Sequence, residues 1–202
     1  MTRIKLCGLS RPCDIEAVNG LKPDYIGFVF SPKSKRYVSH EQAAVLKRLL
    51  SPDIPAVGVF VNEDPQTVAG FLRSDVIDIA QLHGSEDQAY LNRLRQLTDK
   101  PLIRAFRIQT AADLEAAKSC GADAILLDSG AGTGTVFDWN LLKNMERPYF
   151  LAGGLSPDNV ADAVRTLHPF AVDVSSGIET GGVKDPEKMA AFVAAVRKED
   201  RI

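Results

Sequence analysis

YFLAGGLSPDNVADAVRTLHPFAVDVSSG, residues 149–177, decides the fold. A short apolar run (149–154) ends in Gly153-Gly154, a helical stretch (157–167) opens at Ser156-Pro157, and a second apolar run (171–177) ends in Ser175-Ser176-Gly177. A capping side chain followed by proline marks a helix start, because proline at the first helical position gives up an N–H that has no partner there. Two apolar runs joined through a helix make a βαβ unit with parallel strands. Both runs are nearly continuous rather than alternating in hydrophobicity, as expected of parallel strands covered by helices.

The unit recurs outward from this segment along the whole chain. The other runs are IKLCGL (4–9), YIGFVF (25–30), AVGVFV (56–61), DIAQLH (78–83), PLIRAF (101–106) and AILLD (124–128). Helical periodicity occupies 12–20, 40–50, 65–74, 87–98, 111–119, 138–145 and 186–198. Asp64-Pro65 and Asp185-Pro186 repeat the cap-and-proline start, and Ser39 with Gln42 forms a capping box. Eight strands and eight helices in strict alternation are compatible with a doubly wound open sheet or a closed barrel. The regular count favours an α/β, single-domain (β/α)8 TIM barrel over residues 1–202.

With 202 residues, 45% hydrophobic and 25% charged, the chain has the composition of a globular domain that needs no staples. A net charge of −2 provides no basic field for nucleic acid or an anionic membrane, so an anionic ligand must be held by a local site. No apolar stretch is long enough to act as a signal peptide or to span a bilayer. The three cysteines, Cys7, Cys13 and Cys120, are odd in number and lack metal-ligand spacing, which points to a reducing, cytoplasmic setting. No metal is expected, since no His/Asp/Glu cluster has metal-ligand spacing, and either a monomer or a homodimer suits the architecture.

In a β/α barrel the strand ends and βα loops of the carboxyl face build the active site. That rule selects Cys7 on strand 1, the loop with Lys33, Lys35, Arg36 and Tyr37, Gln81 and His83 on strand 4, and Asp128 on strand 6. It also selects Gly153 and Gly154 after strand 7 and Asp173, Ser175, Ser176 and Gly177 on strand 8. Glycines and serines after strands 7 and 8 expose backbone N–H groups where a short helix can begin, an arrangement suited to phosphate. A buried strand cysteine is commonly inert. Here, however, Lys5 shares the face of Cys7, and a cation beside the thiol favours the thiolate. Asp128 is either a bracing carboxylate for loop amides or one half of a proton-transfer pair with Cys7. His83 is a general acid–base or a hydrogen-bonded support, and Arg36 is a solvated charge or a fork for a carboxylate. GAGTGTV (130–136) lacks the ending of a nucleotide loop and reads as a lid.

The segments KLCGLS (5–10), GFVFSPKSKRYVS (27–39), QLHG (81–84), LLDSGAGTGTVFDW (126–139), LAGGLSPDNV (151–160) and PFAVDVSSGIE (169–179) together resemble the phosphoribosylanthranilate isomerases of tryptophan biosynthesis. The resemblance implies a cofactor-free Amadori rearrangement on a (β/α)8 barrel. It implies Cys7 as general base, Asp128 as general acid and Arg36 facing the anthranilate carboxylate. It places Gly153, Gly154, Asp173, Ser175, Ser176 and Gly177 around the phosphate, with Asp173 bracing its loop; His83, from its strand-end position, is expected among the substrate-binding residues. Two alternatives stand beside it. The histidine-pathway aminoaldose isomerases use a pair of aspartates where this chain has Cys7 and Asp128, and a silent barrel would only bind a phosphorylated metabolite.

Overall fold

Each apolar run forms a strand in the computed structural model, which describes residues 1–128, 139–142 and 145–200. The strands are β1 Arg3–Cys7, β2 Tyr25–Val29, β3 Ala56–Phe60, β4 Ile79–Leu82, β5 Leu102–Arg107, β6 Ala124–Asp128, β7 Tyr149–Ala152 and β8 Ala171–Val174. They pair in parallel in chain order, and β8 pairs with β1 to close a barrel. The open-sheet alternative is thereby excluded. Helices α1 Pro12–Leu21, α2 His40–Leu49, α3 Pro65–Arg73, α4 Gln88–Arg95, α5 Ala111–Ser119, α6 Val160–Leu167 and α7 Pro186–Glu199 cover the outside.

Strand side chains alternate, which divides the apolar residues into two layers. Val57, Ile103, Ala105, Leu126, Phe150, Ala152 and Ala171 fill the barrel lumen. Their strand neighbours, such as Ile4, Leu6, Phe28, Ile125 and Val172, pack outward with α-helical residues such as Leu72, Val164 and Phe192. At the amino end an aspartate just before β2, β4 and β6 accepts a backbone N–H from the odd strand beside it. Asp24 serves Ile4, Asp78 serves Ala56 and Asp123 serves Leu102. These bonds satisfy strand-end donors otherwise exposed at the rim.

The helix starts follow the sequence with one exception. Ser39 and Gln42 form the capping box, Asp64 accepts from the Gln66 N–H, and Asp185 accepts from the N–H groups of Glu187 and Lys188. Ser156-Pro157 caps a turn instead. The Ser156 carbonyl accepts from the N–H groups of Asn159 and Val160, so α6 begins three residues later than the proline suggests. The expected helix over 138–145 is, among the described residues, a single 3-10 turn at Trp139–Leu142. The expected lid, 130–136, lies outside the described residues. An unanticipated hairpin follows β8: a 3-10 turn at Ser176–Ile178, then β9 Glu179–Thr180 and β10 Val183–Lys184. Gly181 and Gly182 both take positive φ (61° and 84°), the conformation a two-residue hairpin turn requires.

Candidate active site

At the carboxyl end of the barrel a cavity of about 910 Å³ opens between the strand ends. Its wall includes Cys7, Arg36, Gln81, His83, Arg107, Asp128, Gly153, Gly154, Asp173, Ser175 and Ser176. Of the ten residues expected to act on or bind the substrate (Cys7, Arg36, His83, Asp128, Gly153, Gly154, Asp173, Ser175, Ser176 and Gly177), nine therefore meet in one space. The tenth, Gly177, does not line the cavity and acts beneath it: a Cβ there would stand 1.9 Å from the Leu155 carbonyl oxygen. Its missing side chain lets the β8 loop press against the β7 loop, so that Ser176 and Gly154 share one wall. Gly153 and Gly154 (φ 92° and 64°) adopt backbone that favours glycine, turning the β7 loop sharply over the strand end.

Cys7 sits at the last position of β1 and is almost wholly buried. Its register partner on β2 is Gly27, where a Cβ would lie 2.6 Å from the Cys7 Sγ. Glycine at this point makes the room the sulfur occupies. Lys5, two residues earlier on the same face, is fully buried, and its Nζ meets both carboxylate oxygens of its β8 register partner Asp173, at 3.0 and 2.9 Å. Asp173 thus braces Lys5 rather than its own loop.

The lysine does not make the thiol more acidic than usual, contrary to the sequence-based expectation. Burial pushes the Cys7 thiol up, and although Lys5 pulls it down, the nearby Asp173 carboxylate pushes it up again. The net direction is upward because burial outweighs the pull of Lys5, and the Asp173 carboxylate adds to it. Lys5 itself is held above its ordinary value: burial disfavours its charge, but Asp173 and Cys7 more than compensate.

Across the mouth, three strands from β1 by way of β8 and β7, Asp128 ends β6. Its Oδ2 lies 3.3 Å from the His83 Nε2, and the His83 Nδ1 is 2.8 Å from the Gln81 Nε2. A neutral His83 accepting from Gln81 at Nδ1 carries its proton on Nε2, directed at Asp128. His83 is therefore tied into the acid's surroundings instead of standing alone. The Gln81 Oε1 is buried and has no hydrogen-bond partner among the described residues.

Arg36 is not a solvated loop charge. Its Nε and Nη2 grip the two oxygens of Glu179 at 2.5 and 2.9 Å, and the Lys184 Nζ joins the same carboxylate at 2.6 Å. Arg107, Glu179 and Lys184 were missed from the sequence. The expected fifth strand stopped at 106, one residue short of Arg107, and the hairpin that carries the other two was not foreseen.

Comparison with known proteins agrees with this geometry. The family described as N-(5'phosphoribosyl)anthranilate (PRA) isomerase matches residues 4–195. The N-(5'-phosphoribosyl)anthranilate isomerase of Dechloromonas aromatica is 45% identical over 207 residues, covering 98% of each chain. That of Endomicrobium trichonymphae is 43% identical over 202 residues, covering 98% of this chain and 99% of its own. The crystal structure of phosphoribosyl anthranilate isomerase from Thermotoga maritima superposes with a TM-score of 0.89 at 35% identity, over 98% of this chain and 100% of that one. A further isomerase structure, with a TM-score of 0.87, holds reduced 1-(o-carboxyphenylamino)-1-deoxyribulose 5-phosphate. With the closed barrel, the cavity and full-length matches in agreement, the chain belongs to the N-(5'-phosphoribosyl)anthranilate isomerase family.

Proposed function

We propose that the chain converts N-(5-phospho-β-D-ribosyl)anthranilate to 1-(2-carboxyphenylamino)-1-deoxyribulose 5-phosphate, with Cys7 and Asp128 moving the protons. The observation that carries this reading is their placement on separate rims of one cavity in a chain of the isomerase family. Protonated Asp128 donates to the furanose ring oxygen while the anilino nitrogen pushes electrons into C1, breaking the C1–O bond and leaving an iminium. The Cys7 thiolate removes the C2 proton, and the C2–H electrons form the C1=C2 bond as the nitrogen regains its pair. Protonation of C1 and loss of the 2-hydroxyl proton give the ketone and restore both groups, so no external oxidant or reductant enters. His83, held by Gln81, supports Asp128 and offers it a proton route.

The substrate's two anionic ends match two parts of the wall. The β7 and β8 loops at Gly153, Gly154, Ser175 and Ser176, docked together by Gly177, present backbone to the phosphate. Arg36 faces the anthranilate carboxylate. A pair of aspartates, expected of the histidine-pathway enzymes, is not what the two rims carry, since β1 ends in Cys7. Three free cysteines support a reducing compartment, and we place the protein in the cytoplasm. The test is direct: purified protein should abolish the fluorescence of freshly made phosphoribosylanthranilate at a rate proportional to enzyme. No loss above the spontaneous decay rate would reject the assignment.

A further inference from the structure

The hairpin after β8 places a carboxylate where the cavity needs a cation. Glu179 and Lys184 are register partners across β9 and β10, and their side chains are 9% and 2% exposed. Glu179 takes one edge of the Arg36 guanidinium, Nε and Nη2, as a bidentate pair. Five N–H donors fan from a guanidinium, and this clamp uses only two. The outer edge, through Nη1, has no protein hydrogen bond among the described residues, and Arg36 lines the cavity. The stem of Arg36 is confined as well: a Cβ on Gly8 would fall 2.5 Å from its Cδ, so the side chain lies flat over the end of β1. Glu179 is fixed in turn. The Lys184 Nζ donates to the Glu179 Oε1 at 2.6 Å and to the Ser175 carbonyl at 2.8 Å, and the Lys188 Nζ donates to the Glu179 backbone carbonyl at 2.8 Å.

An arginine paired with one glutamate would be neutral overall and a poor lure for a second carboxylate. Lys184 changes that, since two cations share one anion: burial pulls the Lys184 ammonium down, Glu179 opposes the pull, and the Glu179 charge is divided between Arg36 and Lys184. Burial pushes the Glu179 carboxyl up, but the hydrogen bonds and charges of Arg36 and Lys184 outweigh it and hold it below the ordinary glutamate range. It is therefore ionised at working pH.

We propose that Glu179, backed by Lys184, is a positioning residue that sets the selectivity of the barrel for a carboxylated aryl substrate by holding the outer edge of Arg36 toward the cavity. This rests on the reading that Arg36 meets the anthranilate carboxylate. The donor edge is fixed before the ligand arrives, so the arginine loses little side-chain freedom on binding, and a substrate without the carboxylate leaves the outer donor edge of Arg36 without an acceptor.

Two probes separate the ideas: reduced 1-(o-carboxyphenylamino)-1-deoxyribulose 5-phosphate and the matching phenylamino compound without the carboxylate. Calorimetric titration gives the ratio of their Kd values for the parent chain, Glu179→Gln, Arg36→Met and the double variant. The parent should prefer the carboxylated probe by at least about 30-fold, the lower end for a desolvated charge pair. Arg36→Met should abolish that preference. Glu179→Gln should lose about tenfold of it while binding the phenylamino probe within about threefold of the parent, and the double variant should match Arg36→Met. Glu179→Asp, which keeps the charge but is one methylene short, should fall between and serves if the glutamine variant does not fold. A preserved preference in Arg36→Met overturns the reading of Arg36. A preference lost in Arg36→Met but intact in Glu179→Gln, or in the folded Glu179→Asp when the glutamine variant is unfolded, overturns the inference about Glu179. Equal weakening of both probes by the glutamate substitution also overturns it, because that is what a merely structural role would do.

Discussion

Replacing Lys5 by methionine probes the buried pair that underlies Cys7. The Lys5 side chain is 0% exposed and Asp173 8%, with the Nζ 3.0 and 2.9 Å from the two carboxylate oxygens. Removing one partner of such a pair strands the other as an uncompensated buried charge, which costs about 3–5 kcal/mol. For a chain of this size each kcal/mol lowers Tm by roughly 2–4 °C, so Lys5→Met should melt on the order of 6–20 °C lower. The thiol should respond too. Burial and Asp173 both push Cys7 up and Lys5 opposes them; without the lysine the thiol rises further, and each unit costs about tenfold in thiolate below the pKa. Neutral-pH kcat/KM should fall at least about tenfold. Adding Asp173→Asn to Lys5→Met should restore much of the Tm but not the activity, because the double variant removes the stranded charge without returning the cation. Calorimetry and alkylation of Cys7 against pH, in a background with Cys13 and Cys120 changed to serine, read the two effects separately. A Tm within about 2 °C of the parent, or an alkylation midpoint that moves down, would refute the reasoning.

Other consequences follow from the same geometry. The acidic limb of kcat/KM should rise with Cys7 ionisation at a midpoint above the ordinary thiol value of about 8.5, since burial pushes the thiol up; a limb centred below neutrality would contradict that placement. Gly27→Ala puts a methyl 2.6 Å from the Cys7 Sγ and should reduce kcat sharply while costing about 1–3 kcal/mol of stability, as steady-state kinetics and urea unfolding would show. Gly177→Ala drives a methyl to within 1.9 Å of the Leu155 carbonyl oxygen, parting the β7 and β8 loops, so competition by inorganic phosphate should weaken more than kcat falls. Acid unfolding should depend on Glu179. Its depressed carboxyl contributes stability that is present above the unfolded glutamate value of about 4.3 and lost as pH falls through the folded value, and Glu179→Gln should flatten that part of the curve.

All eight strands were legible because each is a nearly continuous apolar run, and four of them lead to a residue unlike the run: Cys7, Asp128, Gly153, Ser175. Strand alternation then correctly placed Lys5 beside Cys7. What alternation does not reveal is how deeply the thiol is buried or which neighbour lies across the closure; burial outweighs the pull of Lys5, and Asp173 on β8 adds to it. The hairpin at 179–184 escaped notice because each of its strands has only two residues, too few for any period, although Gly181-Gly182 is a turn signal. With it went Glu179 and Lys184, whose partners Arg36 and Ser175 lie far off in the chain or behind a turn. Arg107 was missed by one residue at a strand end, where hydrophobicity stops before the hydrogen bonding does.

The central claim, that Cys7 and Asp128 exchange protons with one bound substrate, is tested most directly by pairing turnover with binding in Cys7→Ser. Phosphoribosylanthranilate fluorescence gives kcat, and titration with reduced 1-(o-carboxyphenylamino)-1-deoxyribulose 5-phosphate gives Kd. The account predicts a kcat lower by several orders of magnitude with Kd within about threefold of the parent, because an alkoxide is far less accessible than a thiolate while the side chain is nearly isosteric. Near-normal turnover in Cys7→Ser would contradict it and make another group, His83 first, the base.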